Sequence, residues 1–175
     1  NAMVAGLLKN GHSRMVTPKK MNLDGGFLGA EEADYVPYIE TCDKIHAQTN
    51  VAYGMFPNFI TPTDTSGYPA ILFWPKGLKE TEFEWTQLAP KWPGNEKPDY
   101  WNEQEVSFDS IMDEDFQNLE PMQRSHDSGV FESMPLNYQE RRIYYYHQVI
   151  DDWIGRENLP ESIQVPNVLD PYIEA

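Results

Sequence analysis

Two different periodicities in one chain constrain this sequence most. Between Glu80 and Leu88 polar and apolar residues alternate strictly, so Glu82, Glu84 and Thr86 are expected to face water while Phe83 and Trp85 face inward. Between Asn137 and Gly155 the apolar residues recur at helical spacing instead, and Ile143, Tyr146, Ile150, Trp153 and Ile154 form the expected buried stripe. Asn137 can cap that helix, Glu140 stands at the capping-box position, and Gly155 suits the left-handed residue that ends it. A chain with both periods in separate blocks reads as α+β, with helices against one face of an antiparallel sheet.

The other segments extend this reading. Val51–Ile60 and Tyr68–Trp74 are strand candidates, and Pro75–Lys79, which contains Gly77, connects the second to Glu80–Leu88. Val4–Leu8 is too short to classify, and His12–Val16 begins a strand after the Asn10-Gly11 turn. Lys19–Gly29 reads as an exposed loop. Glu31–Ala47 reads as a helix, with Tyr35, Ile39, Cys42 and Ile45 at helical spacing. Three prolines and Gly94 make Pro90–Pro98 a surface connection. A helix then runs from near Asp99 past Asp115 to Arg124. A kink or break is expected at Pro121, which leaves the Gln117 carbonyl without its donor. His126–Pro135 reads as a loop or short strand, and Arg156–Ala175 as an extended tail that packs on something, a neighbouring subunit included. Asn1-Ala2 ahead of Met3 reads as a cloning scar, so residues 3–155 are the folded part.

Composition narrows the function classes. A net charge of −15 argues against nucleic acid and anionic membrane surfaces as partners. Ten Tyr, eight Phe and five Trp fit an apolar pocket, a protein interface or an aromatic core. Cys42 is the single cysteine, so no disulfide forms within the chain and a reducing, cytoplasmic setting is the default. There is no apolar run of roughly eighteen residues and no signal-peptide pattern. Phosphate loops, nucleophile elbows and zinc-type spacings are also missing.

Asp113–Gln123, read as a helix, places Asp115, Leu119 and Met122 on one side. A carboxylate sharing a face with Leu and Met is either a boundary residue or a buried group that needs a partner or a metal. Asp115-Phe116-Gln117-Asn118-Leu119-Glu120-Pro121-Met122-Gln123, together with Phe56-Pro57-Asn58, resembles the catalytic domain of the α subunit of Rieske-type aromatic-ring-hydroxylating dioxygenases. The resemblance runs from Asn10 to the last long helix. It implies a helix-grip, Bet v 1-like fold, in which a curved antiparallel sheet wraps a long C-terminal helix, here incomplete. It also implies that Asp115 is the carboxylate ligand of a mononuclear non-haem Fe(II), with Asn118, Glu120 and Gln123 in or near register. Phe56 and Asn58 would line the pocket of an aromatic substrate, with Leu119 and Met122 beside Asp115. The implied reaction inserts both oxygen atoms into an arene to give a cis-diol.

The departures from the family pattern are as informative. The family draws both histidine ligands from one segment that should lie upstream of Asn10, and no such segment is present. His12, His46, His126 and His147 are the four histidines, and no two are close in sequence. One cysteine cannot hold a Rieske cluster. Fe(II) is therefore expected in the intact enzyme and not in this chain alone, which should be inactive. The remainder of an α subunit, a β subunit and further copies of the chain (trimers in the family) are the implied partners. His12 is read as a hydrogen-bonding surface residue, His46 as a satisfied boundary histidine and His126 as a helix C-terminal residue; His147 is expected to bond Asp151. The alternative reading is a non-catalytic helix-grip module that binds a small apolar ligand or assists oligomer assembly.

Overall fold

The computed structural model describes residues 4–18, 39–63, 65–130 and 133–174. Strands β1 (Val4–Leu8), β2 (Ser13–Pro18), β3 (Thr49–Met55), β4 (Phe59–Thr63), β5 (Tyr68–Gly77), β6 (Glu80–Leu88) and β7 (Ile173–Glu174) form one open sheet. Its order is β6-β5-β4-β3-β2-β1-β7, antiparallel throughout except that β7 lies parallel to β1. The helices are α1 (Lys44–Gln48), α2 (Asp99–Asp127) and α3 (Arg141–Ile154). The architecture is α+β with a long C-terminal helix on an antiparallel sheet, as expected.

Register shows that α2 and α3 share a face of the sheet. Ser13 pairs with Gly54, Gly54 with Ile60, Ile60 with Ile71 and Ile71 with Trp85, a single row whose side chains point the same way. From α3, Arg142 Nε donates to Ser13 Oγ at one end of that row (3.0 Å). From α2, Phe108 packs on Trp85 at the other end, with ring centroids 4.4 Å apart. Phe83 meets Phe116 of α2 one level further along, at 4.8 Å. The alternation expected in β6 therefore holds, with Phe83 and Trp85 inward and Glu82, Glu84 and Thr86 exposed. The core under α3 is Leu7, Tyr145 and Val149, joined by Phe56, Leu169 and Ile173.

Several boundaries differ from the sequence reading. Residues 31–38 lie outside the described residues. Ile39 and Cys42 precede α1, which spans only Lys44–Gln48 because Asp43 caps it by accepting from the His46 N–H at 2.9 Å. Val51–Ile60 is two strands separated by a turn at residues 56–58, and β5 continues to Gly77, leaving Leu78 and Lys79 as the turn. α2 passes through Pro121 and reaches Asp127 without a break. Ion pairs Arg124–Glu120 and Lys79–Asp127 (each 2.5 Å) hold that last part, and Ser125 Oγ donates to the Pro121 carbonyl.

The largest correction concerns α3. Its capping box at Asn137 and Glu140 forms, and Gly155 ends it at φ 87°. The expected apolar stripe is only partly covered, however: Ile150 is half-buried, while Ile143, Tyr146, Trp153 and Ile154 are exposed, Trp153 by 73%. The buried residues are Tyr145, Gln148, Val149 and Asp151. Most of their polar atoms find partners elsewhere on the chain, while Gln148 Oε1 has none among the described residues. The Tyr145 hydroxyl donates to the Leu8 carbonyl (2.8 Å), Gln148 Nε2 donates to Asp170 (2.5 Å), and Asp151 accepts from the Val165 N–H (2.6 Å). Asp151 thus serves residues 156–174, not His147. Those residues carry three single 3-10 turns and return against α3 of the same chain.

Candidate functional site

The site to be tested lies on the face shared by α2 and α3. Gln104, Phe108, Ile111, Asp115, Leu119 and Met122 follow one another along one side of α2 at helical spacing. The stripe begins buried at Gln104 and Phe108 and ends exposed, Leu119 by 56% and Met122 by 52%. Asp115 lies in the exposed part. It has no hydrogen bond or ion pair among the described residues. Asn118 Nδ2 donates to the Glu114 carbonyl, Glu120 pairs with Arg124, and Gln123 donates to Asp127, so these three neighbours serve the helix itself.

Phe56 and Asn58 sit together at the β3–β4 turn, where the Phe56–Pro57 peptide is cis. Gly11 positions this turn. At φ 81° it adopts a conformation that side chains avoid, and a Cβ there would lie 2.9 Å from Phe56. The Phe56 ring packs against Tyr146 (5.6 Å) and Trp153 (5.4 Å) of α3. The Tyr146 hydroxyl donates to the Pro57 carbonyl (2.8 Å). Asn58 Nδ2 donates to the Phe73 carbonyl (3.1 Å), bracing the turn against β5. No hydrogen bond, ion pair or ring contact joins Asp115 to Phe56 or Asn58 among the described residues.

The histidines are dispersed. His12 Nδ1 accepts from the Phe56 N–H (3.1 Å), which fixes the turn from the β2 side. His46 lies between Asp43 (3.0 Å) and the Tyr53 hydroxyl (3.1 Å), and its N–H groups hold the Asp43 carboxyl below the usual aspartate range. His126 occupies the last turn of α2 and His147 is exposed on α3. Among the described residues no group of three His, Cys, Asp or Glu could hold a metal ion. The donors among the described residues therefore do not fit an iron centre by themselves.

Two surface openings take in neither Asp115 nor Phe56 and Asn58. One, about 570 Å³, lies along Asn102, Val106, Ser110 and Ile111 on the first half of α2. The other, about 260 Å³, lies between Tyr138, Arg141 and Tyr144 and the later residues Val168, Leu169 and Tyr172. Phe73, Phe83, Trp85, Phe108 and Phe116 form a packed aromatic layer, while Trp74 points to the opposite face and donates to Glu84.

The family model of the ring-hydroxylating alpha subunit, catalytic domain, matches residues 10–156. The chain belongs to that family. Neither the curated proteins nor the solved structures gave a match. In this ring-hydroxylating catalytic domain the matched region takes in every site residue expected from the sequence. Among the described residues, no helix is long and apolar enough to cross a membrane.

One residue escaped the sequence reading. Arg142 of the ring-hydroxylating domain lies half-buried beside Ser13 and Gly54, and burial lowers its pKa. Its only sequence signal is a basic pair, Arg141-Arg142, at the start of a helix, where the macrodipole disfavours cations.

Proposed function

We propose that this chain is the carboxylate-bearing portion of an aromatic-ring-hydroxylating dioxygenase. Asp115 contributes one ligand to Fe(II), and two imidazoles come from outside the chain, completing the facial triad typical of non-haem oxygenases. Phe56, Asn58, Leu119 and Met122 line the aromatic-substrate pocket in the assembled enzyme. The reaction is insertion of both oxygen atoms into an arene, with electrons from a Rieske cluster carried elsewhere. Further copies of the chain, a β subunit and a cytoplasmic setting complete the reading, and the chain by itself is inactive.

One observation carries this proposal: the family match spans a helix on which a carboxylate, without a partner among the described residues, shares an apolar stripe with the exposed Leu119 and Met122. Covering that stripe with the histidine-bearing part would bury apolar surface and give the carboxylate a cation at the same time. Iron content is the test. The chain alone should retain little iron, and mixing it with a polypeptide carrying the paired histidines should raise iron retention. Asp115→Ala should lower the affinity of that mixture at least about tenfold. Stoichiometric iron on the chain alone, or retention indifferent to Asp115→Ala, would overturn the assignment.

The exposure of Asp115 also favours a second reading, a non-catalytic helix-grip module that binds a small apolar ligand or assists assembly. It predicts that the histidine-bearing polypeptide brings no gain in iron.

A further inference from the structure

Among the described residues, Arg142 stands apart from the other arginines. Arg14, Arg124 and Arg156 each pair with a carboxylate. Arg141 donates to the Tyr138 hydroxyl and the Ala5 carbonyl. Arg142 spends only Nε, on Ser13 Oγ at 3.0 Å, and its two terminal amino groups have no acceptor among the described residues. Scarcity of carboxylates is not the reason, since the chain holds 28 acidic against 13 basic residues. A half-buried cation that meets no carboxylate among the described residues bears a desolvation cost that one bond to Ser13 only partly offsets, and an incoming anion would offset more of it.

The surroundings specify which kind of anion. Gly54 lies under the guanidinium, where a Cβ would sit 2.9 Å from Ser13 Oγ and 3.4 Å from Arg142 Nη2, so the absent side chain leaves room for the fork. The Ser13 hydroxyl accepts from Arg142 and keeps its own proton free to donate. Beside this polar point the surface is apolar. Ile60 is the cross-strand neighbour of Gly54 and is exposed on the same face. Tyr146, one turn beyond Arg142, packs its ring at a tilt against Phe56. A planar fork with two free amino groups matches a carboxylate bidentately, and the apolar surroundings match a ring attached to it.

We propose that Arg142, with Ser13, anchors the carboxylate of an aromatic acid whose ring lies over Ile60 on the face between α2 and α3. This names the substrate class for the proposed oxygenase and rests on that reading for its meaning in catalysis, though binding itself needs no iron. The test is titration of this polypeptide with benzoate, benzyl alcohol and inorganic phosphate, followed by amide shifts. Benzoate should bind about tenfold or more tighter than benzyl alcohol and shift Ser13 and Gly54, since charge-assisted bidentate bonds are the strong ones. Arg142→Gln should remove the preference. Arg142→Lys and Ser13→Ala, which keep the fold should Arg142→Gln lose it, should each weaken benzoate severalfold.

Benzoate no tighter than benzyl alcohol, a preference that survives all three substitutions, or phosphate binding as well as benzoate would each overturn the proposal. The iron measurement keeps the two ideas separate. Benzoate held at Arg142 without any gain in iron leaves an acid-binding module. Iron gained with no benzoate preference leaves an oxygenase for neutral arenes.

Discussion

α2 and α3 lie on one face of one sheet, yet the rest of the chain covers them differently. α3 buries Gln148 and Asp151 while Trp153, Ile154 and Ile143 stay in water. α2 buries Tyr100, Trp101, Gln104 and Phe108 in its first half, and its second half leaves Leu119 and Met122 in water. The difference lies in what the rest of the chain brings to each. Residues 164–170 return to α3, where Asp170 accepts from Gln148 Nε2 and the Val165 N–H donates to Asp151, and Arg156 just past the helix donates to the Val165 carbonyl (2.7 Å). Beyond Phe116 an ion pair, Lys79–Asp127, ties α2 to the β5–β6 turn. Burial follows the supply of partners more closely than it follows side-chain polarity.

Substitutions along α2 offer the sharpest way to break this contrast. Trp101 is 2% exposed, and its indole lies 3.3 Å from where a Cβ on Gly67 would stand. Trp101→Ala should cost about 3–5 kcal/mol in denaturant unfolding. Leu119→Ala, on the uncovered part of the same helix, should stay within about 0.5 kcal/mol. Equal costs would show that the far half of α2 is packed after all.

On α3, Asp151→Ala leaves the Val165 N–H without its acceptor and should cost about 1–3 kcal/mol. Amide exchange at Val165 should quicken, and unchanged exchange there would mean that residues 164–170 are held by something else.

The smallest effect concerns pH. Bonds from Lys79 and then Gln123 hold the Asp127 carboxyl below its ordinary value. Because the folded-state pKa is depressed, the tether is intact above the ordinary aspartate pKa, about 3.9. It is lost as pH falls below that value through the lowered one. Exchange near Asp127 should rise in that acid window before the core opens, and a release already under way at neutral pH would contradict the assignment.

How much of this was legible in the sequence depends on how far apart the interacting residues are. β6 could be read because alternation and its consequence are local. The capping box of α3 could be read for the same reason. The buried side of α3 could not, since Gln148 and Asp151 are tolerated inside only through Val165 and Asp170, and no periodicity in 141–154 reports them. α1 was overextended because apolar spacing at Ile39 and Cys42 imitated a helix that Asp43 begins later. Asp115 is conspicuous from its motif, whereas nothing in the sequence around Arg142 marks it, since what sets it apart is that no acid pairs with it among the described residues.

The parallel pairing of Leu7 and Leu8 with Ile173 and Glu174 has a kinetic side. Arg14 and Glu174, which meet across this seam, are separated by 160 positions. Closing so long a loop is entropically slow, so the outer edge of β1 stays unclaimed until β7 has been made and has docked. During that interval another nascent chain can add itself to the same edge. Crowded expression should therefore favour strand-exchanged aggregates that dilution relieves.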